Sequence, residues 1–277
     1  MHTHPVNPGL GGTDTGFALG RQVTIDYYDC HPDRLLDPDY LEKAFVGAAK
    51  FSGATVIDSS FHAFAPQGVS GVVTIAESHF TVHAWPEHNY AAVDIFTCGD
   101  SIDIDVAIDS LKQSLDSGKV VISTDRNRGI IPNLFEVEPS GSCMKNPGLY
   151  PISWKKVYEE IEPWGVLASI DVHGCDPAII RDIPATTRFV HDLCTRLGIE
   201  GKEKCQVARI GEGESAEGFS ITRIIGPSFI SGHFVTGTNT AYIDIFCCDY
   251  YEPRTMAEFA TAFFKGSNYK LQLALRR

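Results

Sequence analysis

One set of reactive side chains occurs twice in this chain, in the same register. Glu77-Ser78-His79 is followed by His83 and Cys98, and 150 positions later the serine, a histidine and a cysteine return as Ser228, His233 and Cys248. A hydroxyl, an imidazole that titrates near neutrality and a thiol are a nucleophile, a base and an acid if a fold brings them together. Sliding residues 70–98 onto 220–248 without gaps gives ten identities in 29 positions: Ser70, Ile75, Ser78, His83, Asn89, Ala91, Asp94, Ile95, Phe96 and Cys98. Average residue usage gives about two by chance. Upstream, Asp26 and Cys30 match Asp171 and Cys175 at an offset of 145, so a loop differs by five residues. A duplicated domain whose Ser, His and Cys only pack is the plain alternative, and Cys98 taken alone reads as a buried, inert thiol. Polar groups that recur where apolar strand residues would serve favour chemistry, because a polar group in a sheet core costs stability unless it is satisfied.

The elements that must position these residues are read from hydrophobic period. The first half reads as a strand at 21–28, an amphipathic helix at 39–51, extended segments at 54–64, 71–77, 80–85 and 91–97, a helix at 104–115 and a strand at 119–124. The second half repeats that order, with a strand at 166–172, a helix at 185–197, strands at 205–210, 219–225, 228–235 and 241–246, a helix at 256–264 and a strand at 270–274. This predicts an α/β protein of the α+β two-layer kind, two homologous domains each with a sheet covered by helices. The expected divisions are a flexible leader at 1–20, a first domain at 21–124, a linker at 125–163 rich in Pro, Gly, Ser and Asn, and a second domain at 164–277. The Asp94-Ile95-Phe96 alternation fits a half-buried strand.

Composition narrows the classes of partner. The 277 residues carry a formal net charge of -12 and are 43% hydrophobic, enough for a sizeable core. No basic stripe is present, so neither nucleic acid nor an anionic membrane is an expected partner. No apolar run reaches spanning length and the N-terminal segment lacks a secretory core, so the expected location is cytoplasmic. The eight cysteines show no CxxC pair and no zinc-ligand spacing, so no metal and no disulfide scaffold is expected.

Two longer stretches carry a resemblance. Residues 61–73, from Phe61-His62-Ala63-Phe64 through Gln67-Gly68-Val69-Ser70-Gly71, and residues 77–99, with Glu77-Ser78-His79-Phe80, His83-Ala84-Trp85-Pro86-Glu87 and Asp94-Ile95-Phe96-Thr97-Cys98, resemble the small prokaryotic S-adenosylmethionine decarboxylase proenzymes. The similarity spans about residues 20–121. It implies a chain that cuts itself between Glu77 and Ser78, giving pieces of 77 and 277 - 77 = 200 residues. The serine hydroxyl attacks the preceding carbonyl, the resulting ester eliminates, and a pyruvoyl cofactor is left at position 78, ready to form a Schiff base with a substrate amine. The resemblance makes His83 the base that removes the serine α-proton, Ser70 an aid to processing that polarises the carbonyl, and Cys98 the proton donor in decarboxylation. His83 stands five residues from Ser78, so on a simple strand it faces the opposite side unless a turn intervenes. Phe64 and Trp85 match aromatic positions near the adenosyl pocket, and Glu87 is placed to accept hydrogen bonds from ribose hydroxyls; ordinary core or rim packing is the alternative for each.

The implied function is conversion of S-adenosylmethionine to its decarboxylated form and CO2, which supplies the aminopropyl donor for spermidine synthesis. The partner implied is a small-molecule substrate. Decarboxylation of arginine or ornithine is the alternative. The second copy keeps Ser220, Ser228, His233 and Cys248 as a second site, yet Glu77 becomes Pro227, His79 becomes Phe229, Trp85 becomes Val235 and Glu87 becomes Gly237. Three readings stay open for it: a processed site of changed specificity with its own pyruvoyl group from Ser228, a site for the same substrate built differently, or a silent partner domain. Because small members of the family pair as dimers, a tandem chain is expected to pair its halves within itself as a pseudo-dimer, or to form a homodimer.

Overall fold

Alternating sequences such as Val23-Thr24-Ile25-Asp26-Tyr27 can bury one face against helices, and the computed structural model shows what covers the other. It describes residues 20–64, 66–98, 101–128, 154–199, 201, 204–210 and 217–276. The first half contains β1 (Gly20–Tyr28), α1 (Pro32–Leu35), α2 (Pro38–Phe51), β2 (Val56–Ala63), β3 (Val69–Ile75), β4 (Ser78–Trp85), a 3-10 turn (Pro86–His88), β5 (Tyr90–Cys98), α3 (Ile104–Leu115) and β6 (Lys119–Arg128). Next come α4 (Trp154–Ile161), then β7 (Gly165–His173), α5 (Pro177–Ile180), α6 (Ile183–Leu197), β8 (Gln206–Ile210), β9 (Gly218–Ile225), β10 (Ser228–Val235), β11 (Thr240–Cys247), α7 (Pro253–Phe264) and β12 (Asn268–Arg276). The sheets run β2-β3-β4-β5-β1-β6 and β12-β7-β11-β10-β9-β8, all neighbours antiparallel. Matched strand for strand, these are one topology used twice, as the repeat predicts.

The helices form where apolar spacing and caps agree. In α3 the buried positions Ile104, Ala107, Ile108, Leu111 and Leu115 follow the 3.6-residue period, and the Asp103 carboxylate caps the start by accepting from the Val106 N–H at 3.2 Å. In α2 the Asp37 side chain accepts from the Asp39 and Tyr40 N–H groups ahead of a buried stripe of Leu41, Phe45, Ala48 and Ala49. Both helices lie on the Val23, Ile25, Val82, Val93 and Ile95 face of the first sheet, and α6 and α7 cover the corresponding face of the second. Each such Leu, Ile, Val or Phe contributes roughly 1.5–3 kcal/mol by leaving water.

The opposite faces of the two sheets pack against each other, giving helix, sheet, sheet and helix layers. This corrects the half-buried expectation for residues 94–96: Asp94, Ile95 and Phe96 are 4%, 0% and 0% exposed, because the second sheet covers the side that local alternation assigns to solvent. The seam is polar in its middle. Arg128 reaches from the end of β6 to Asp171 at 2.6 Å and Asp244 at 2.8 Å in the second half, and Arg276, from the equivalent end of β12, returns to Asp26 at 3.0 Å in the first. Gln22 bridges Asp94 and Asp244 across the same seam, donating through Nε2 at 3.1 and 3.2 Å.

The expected linker contributes four residues to β6, through Arg128, and the helix α4; its stretch at 129–153 and all but the last residue of the expected leader lie outside the described residues. Cys143 lies there too, and the seven described cysteines are all free thiols. Among the described residues no helix is long and apolar enough to cross a membrane, and no group of three or more His, Cys, Asp or Glu is placed to hold a metal ion.

Candidate functional site

Ser78 opens β4 directly after the turn at 76–77 and is fully buried. Its φ of +153° lies in backbone territory that favours glycine, a strain on the order of 1–3 kcal/mol that the surrounding sheet must hold. The carbonyl before it, Glu77 O, accepts the Cys98 N–H at 2.8 Å, so a backbone donor already polarises the group a Ser78 nucleophile would attack. The Glu77 carboxylate turns aside to accept the Thr55 N–H at 3.2 Å. In the second copy the positive φ falls on Gly226 (+54°), where it costs little, and the Pro227 carbonyl meets the Cys248 thiol at 3.6 Å.

β4 continues without a break to Trp85, in unshifted register with β3 and β5. No turn therefore returns His83 to Ser78, and alternation puts it on the seam face beside Thr81 and Trp85. There His83 pairs through Nδ1 with Ser70 Oγ at 2.9 Å, directly across from it on β3, while its Nε2 is buried without a hydrogen-bond partner. Its ring stacks on Phe246 at 4.3 Å and on Phe229 at 5.3 Å, both from the second half. The twin pair, Ser220 Oγ and His233 Nδ1, stands 3.3 Å apart, and His233 Nε2 lies 3.8 Å from the sulfur of Cys98. The first cysteine is thus met by the second histidine.

The expected residues fall into two clusters on the seam. Cys98 packs with Phe96, Val235 and Tyr242. Phe64 and Trp85 pack in the other cluster with Tyr90, Phe229, Phe246 and Cys248. Trp85 stacks on Tyr90 at 5.6 Å, and Glu87 is exposed on the 3-10 turn that follows. Ser228 is buried, its hydroxyl 3.5 Å from the sulfur of Cys247.

Burial sets the protonation of these groups. It pushes His83 down to about 3, helped by the nearby Arg276 charge, and His233 down to about 3, helped by His79 and Arg128. It pushes the Cys98 thiol up to about 12 against the pull of Arg128, and Cys248 up to about 12 as well. Cys98 is thus a protonated thiol beside a neutral imidazole. Such a pair can donate at sulfur and accept at nitrogen.

The expected site omits His79, whose Nδ1 is 3.2 Å from Ser78 Oγ, and the buried Arg128 and Arg276. The signal for His79 in the sequence is its loss, as Phe229, alongside Glu77. For the arginines it is the repeated pairs Asp26/Asp171 and Asp94/Asp244, which need cationic partners if they are buried.

Comparison with known proteins adds three findings. The model of the family described as S-adenosylmethionine decarboxylase matches residues 21–128 and again 167–277. The S-adenosylmethionine decarboxylase proenzyme 1 of Bacillus cereus is 50% identical over 104 residues, covering 38% of this chain and 80% of its own, and the S-adenosylmethionine decarboxylase proenzyme of Pseudomonas aeruginosa is 47% identical over 112 residues, covering 40% and 70%. The crystal structure of the adenosylmethionine decarboxylase from Aquifex aeolicus superposes with a TM-score of 0.39 at 33% identity, covering 42% of this chain and 95% of that one.

Proposed function

Because the chain belongs to the S-adenosylmethionine decarboxylase family through both of its halves, we propose that it converts S-adenosylmethionine to decarboxylated S-adenosylmethionine and CO2 after cutting itself between Glu77 and Ser78. One observation carries the processing step: a buried serine at φ +153° follows a carbonyl that already accepts the Cys98 N–H at 2.8 Å. The backbone is bent and the carbonyl polarised before any reaction begins.

The residues around position 78 suit a pyruvoyl group made from Ser78. It would lie in a buried site at the end of the sheet where β4 begins and β5 ends, with the Cys98 N–H already bonded to the preceding carbonyl. Such a group supplies a carbonyl that binds the substrate amine and withdraws electrons from the α-carbon as CO2 departs. The chain's own residues do the rest. Cys98 Sγ holds the proton that the α-carbon needs, and burial keeps it protonated at neutral pH. His233 Nε2 lies 3.8 Å from that sulfur, and Ser220 fixes its ring through Nδ1. The packed sheets would exclude water from the site.

A second reading rests on a separate observation: Phe64, Trp85, Ser70 and His83 lie around the cluster that contains Cys248 and Phe229. If Ser228 is also processed, those first-half residues, with Glu87 at the rim, form the planar-ring pocket of the Ser228 site.

Intact mass of the purified protein separates these readings. Processing at Ser78 alone gives pieces of 77 and 200 residues; processing at both serines gives 77, 227 - 77 = 150 and 277 - 227 = 50 residues. S78A is expected to abolish the 77-residue piece and CO2 release from S-adenosylmethionine. An uncut wild-type chain, or release of CO2 from arginine or ornithine but not from S-adenosylmethionine, overturns the proposal.

A further inference from the structure

The hydroxyl of Ser78 needs somewhere to send its proton before it can attack the Glu77 carbonyl, and the structure holds an acceptor against it. Neighbours on a strand ordinarily point to opposite faces. At Ser78 the φ of +153° breaks that alternation, and Ser78 Oγ lies 3.2 Å from Nδ1 of His79, both side chains being buried. On the other side of the ring, buried His79 Nε2 stands 3.6 Å from Asp94 Oδ1, an ion-pair distance, and has no hydrogen-bond partner among the described residues.

Asp94 is fixed for this task. It is 4% exposed, and the Gln22 amide donates to both of its oxygens at 3.2 and 3.1 Å. Gln22 is oriented in turn by Arg126 and Ser169, which donate to its Oε1 at 2.6 and 3.2 Å. The edges of Phe96 and Phe229 meet the imidazole ring at 6.1 and 6.4 Å and limit its rotation. With the Nε2 proton directed at Asp94, the Nδ1 lone pair faces the hydroxyl. A nucleophile, a base and a carboxylate that orients the base stand in sequence.

The second copy is an internal comparison. Asp244 is retained at the position of Asp94, but Phe229 stands where His79 does, and the hydroxyl of Ser228 is left beside the Cys247 sulfur at 3.5 Å. The repeat has kept the carboxylate and lost the base.

We propose that His79 is the general base of the first processing step, with Asp94 as its positioning residue. His79 Nδ1 takes the proton of Ser78 Oγ as the oxygen bonds to the Glu77 carbonyl carbon. The carbonyl oxygen carries the charge, held by the Cys98 N–H. The Glu77–Ser78 C–N bond then breaks, and the proton passes from His79 to the Ser78 nitrogen, so an amide and an alcohol become an ester and an amine with nothing gained or lost. The inference rests on the self-processing reading above.

The test follows freshly translated full-length chain over time, quenching with hydroxylamine, which cuts an ester or thioester but leaves the amide. H79Q is expected to slow formation of the hydroxylamine-sensitive bond at Ser78 by about 100-fold or more, the range of general-base contributions, and D94N to slow it in the same direction. A thiol ionises nearer neutrality than an alcohol and depends less on a base. In the S78C background, H79Q is therefore expected to cost less than about tenfold. Equal slowing in the Ser78 and S78C backgrounds means a structural role and overturns the proposal, as does wild-type speed in H79Q. If H79Q does not fold, H79F serves in its place, since it introduces the side chain that the second copy already buries at this position. A wild-type chain that forms no sensitive bond and stays uncut refutes the self-processing reading itself, a result distinct from either of these.

Discussion

Two buried imidazoles carry a cost that acid exposes. His83 and His233 hold folded pKa values near 3, far below the 6.5 of a free imidazole, because burial penalises their charged forms. Between those values the unfolded chain binds protons that the folded chain does not. Stability is therefore present above pH 6.5 and lost as pH falls from 6.5 toward 3, by up to ~1.4 kcal/mol per pH unit for each histidine. H233Q, which leaves no ionisable group to titrate, is expected to flatten the fall in urea midpoint between pH 6 and pH 4. An acid limb as steep as that of wild type would mean that His233 is already solvated in the folded state. The same burial makes these rings neutral acceptors at working pH and Cys98 a protonated donor. The repeated Ser, His and Cys types were legible in the chain; their protonation was not, since it depends on which groups surround them in space.

At the level of elements, two glycines make opposite predictions. Gly68, between β2 and β3, has φ +134°, and a Cβ there would meet the Phe64 ring at 2.4 Å and the Ala84 carbonyl at 2.6 Å. G68A is expected to lower stability by about 1–3 kcal/mol and to displace Phe64. Gly47, inside α2, has nothing within 4 Å of such a Cβ, so G47A is expected to stabilise by about 0.4–1 kcal/mol. Urea unfolding of the two variants checks both signs, and a stable G68A would show that the loop has room to relax. Most elements were legible because period and caps are local: the helix expected at 104–115 is Ile104–Leu115. β6 ran past its expected end at 124 to Arg128, because its last residues pair with the start of β1 and its final side chain is needed across the seam.

On the scale of the whole molecule, the halves are joined by exchanged arginines. Arg128 and Arg276 stand opposite Gly20 and Gly165 in their sheets, and each reaches into the other half. Removing one partner of a buried pair leaves an uncompensated charge, so R128M is expected to cost about 3–5 kcal/mol in global unfolding, partly regained when D171N and D244N are added. Wild-type stability in R128M would mean that apolar contacts alone hold the seam. The sequence by itself determined that there are two copies and the order of the main strands and helices in each, because these follow from local period and covalent neighbours; the start of β4 at Ser78, two residues before the expected 80, was set by its pairing with β3 and β5. Only the tertiary structure decided that Cys98 is met by His233, that His83 sits with Phe229 and Phe246, and that the polar face of each sheet is buried. The physical reason is that the seam face of each strand is filled by side chains from a sheet encoded some 150 residues away, which no local period can report.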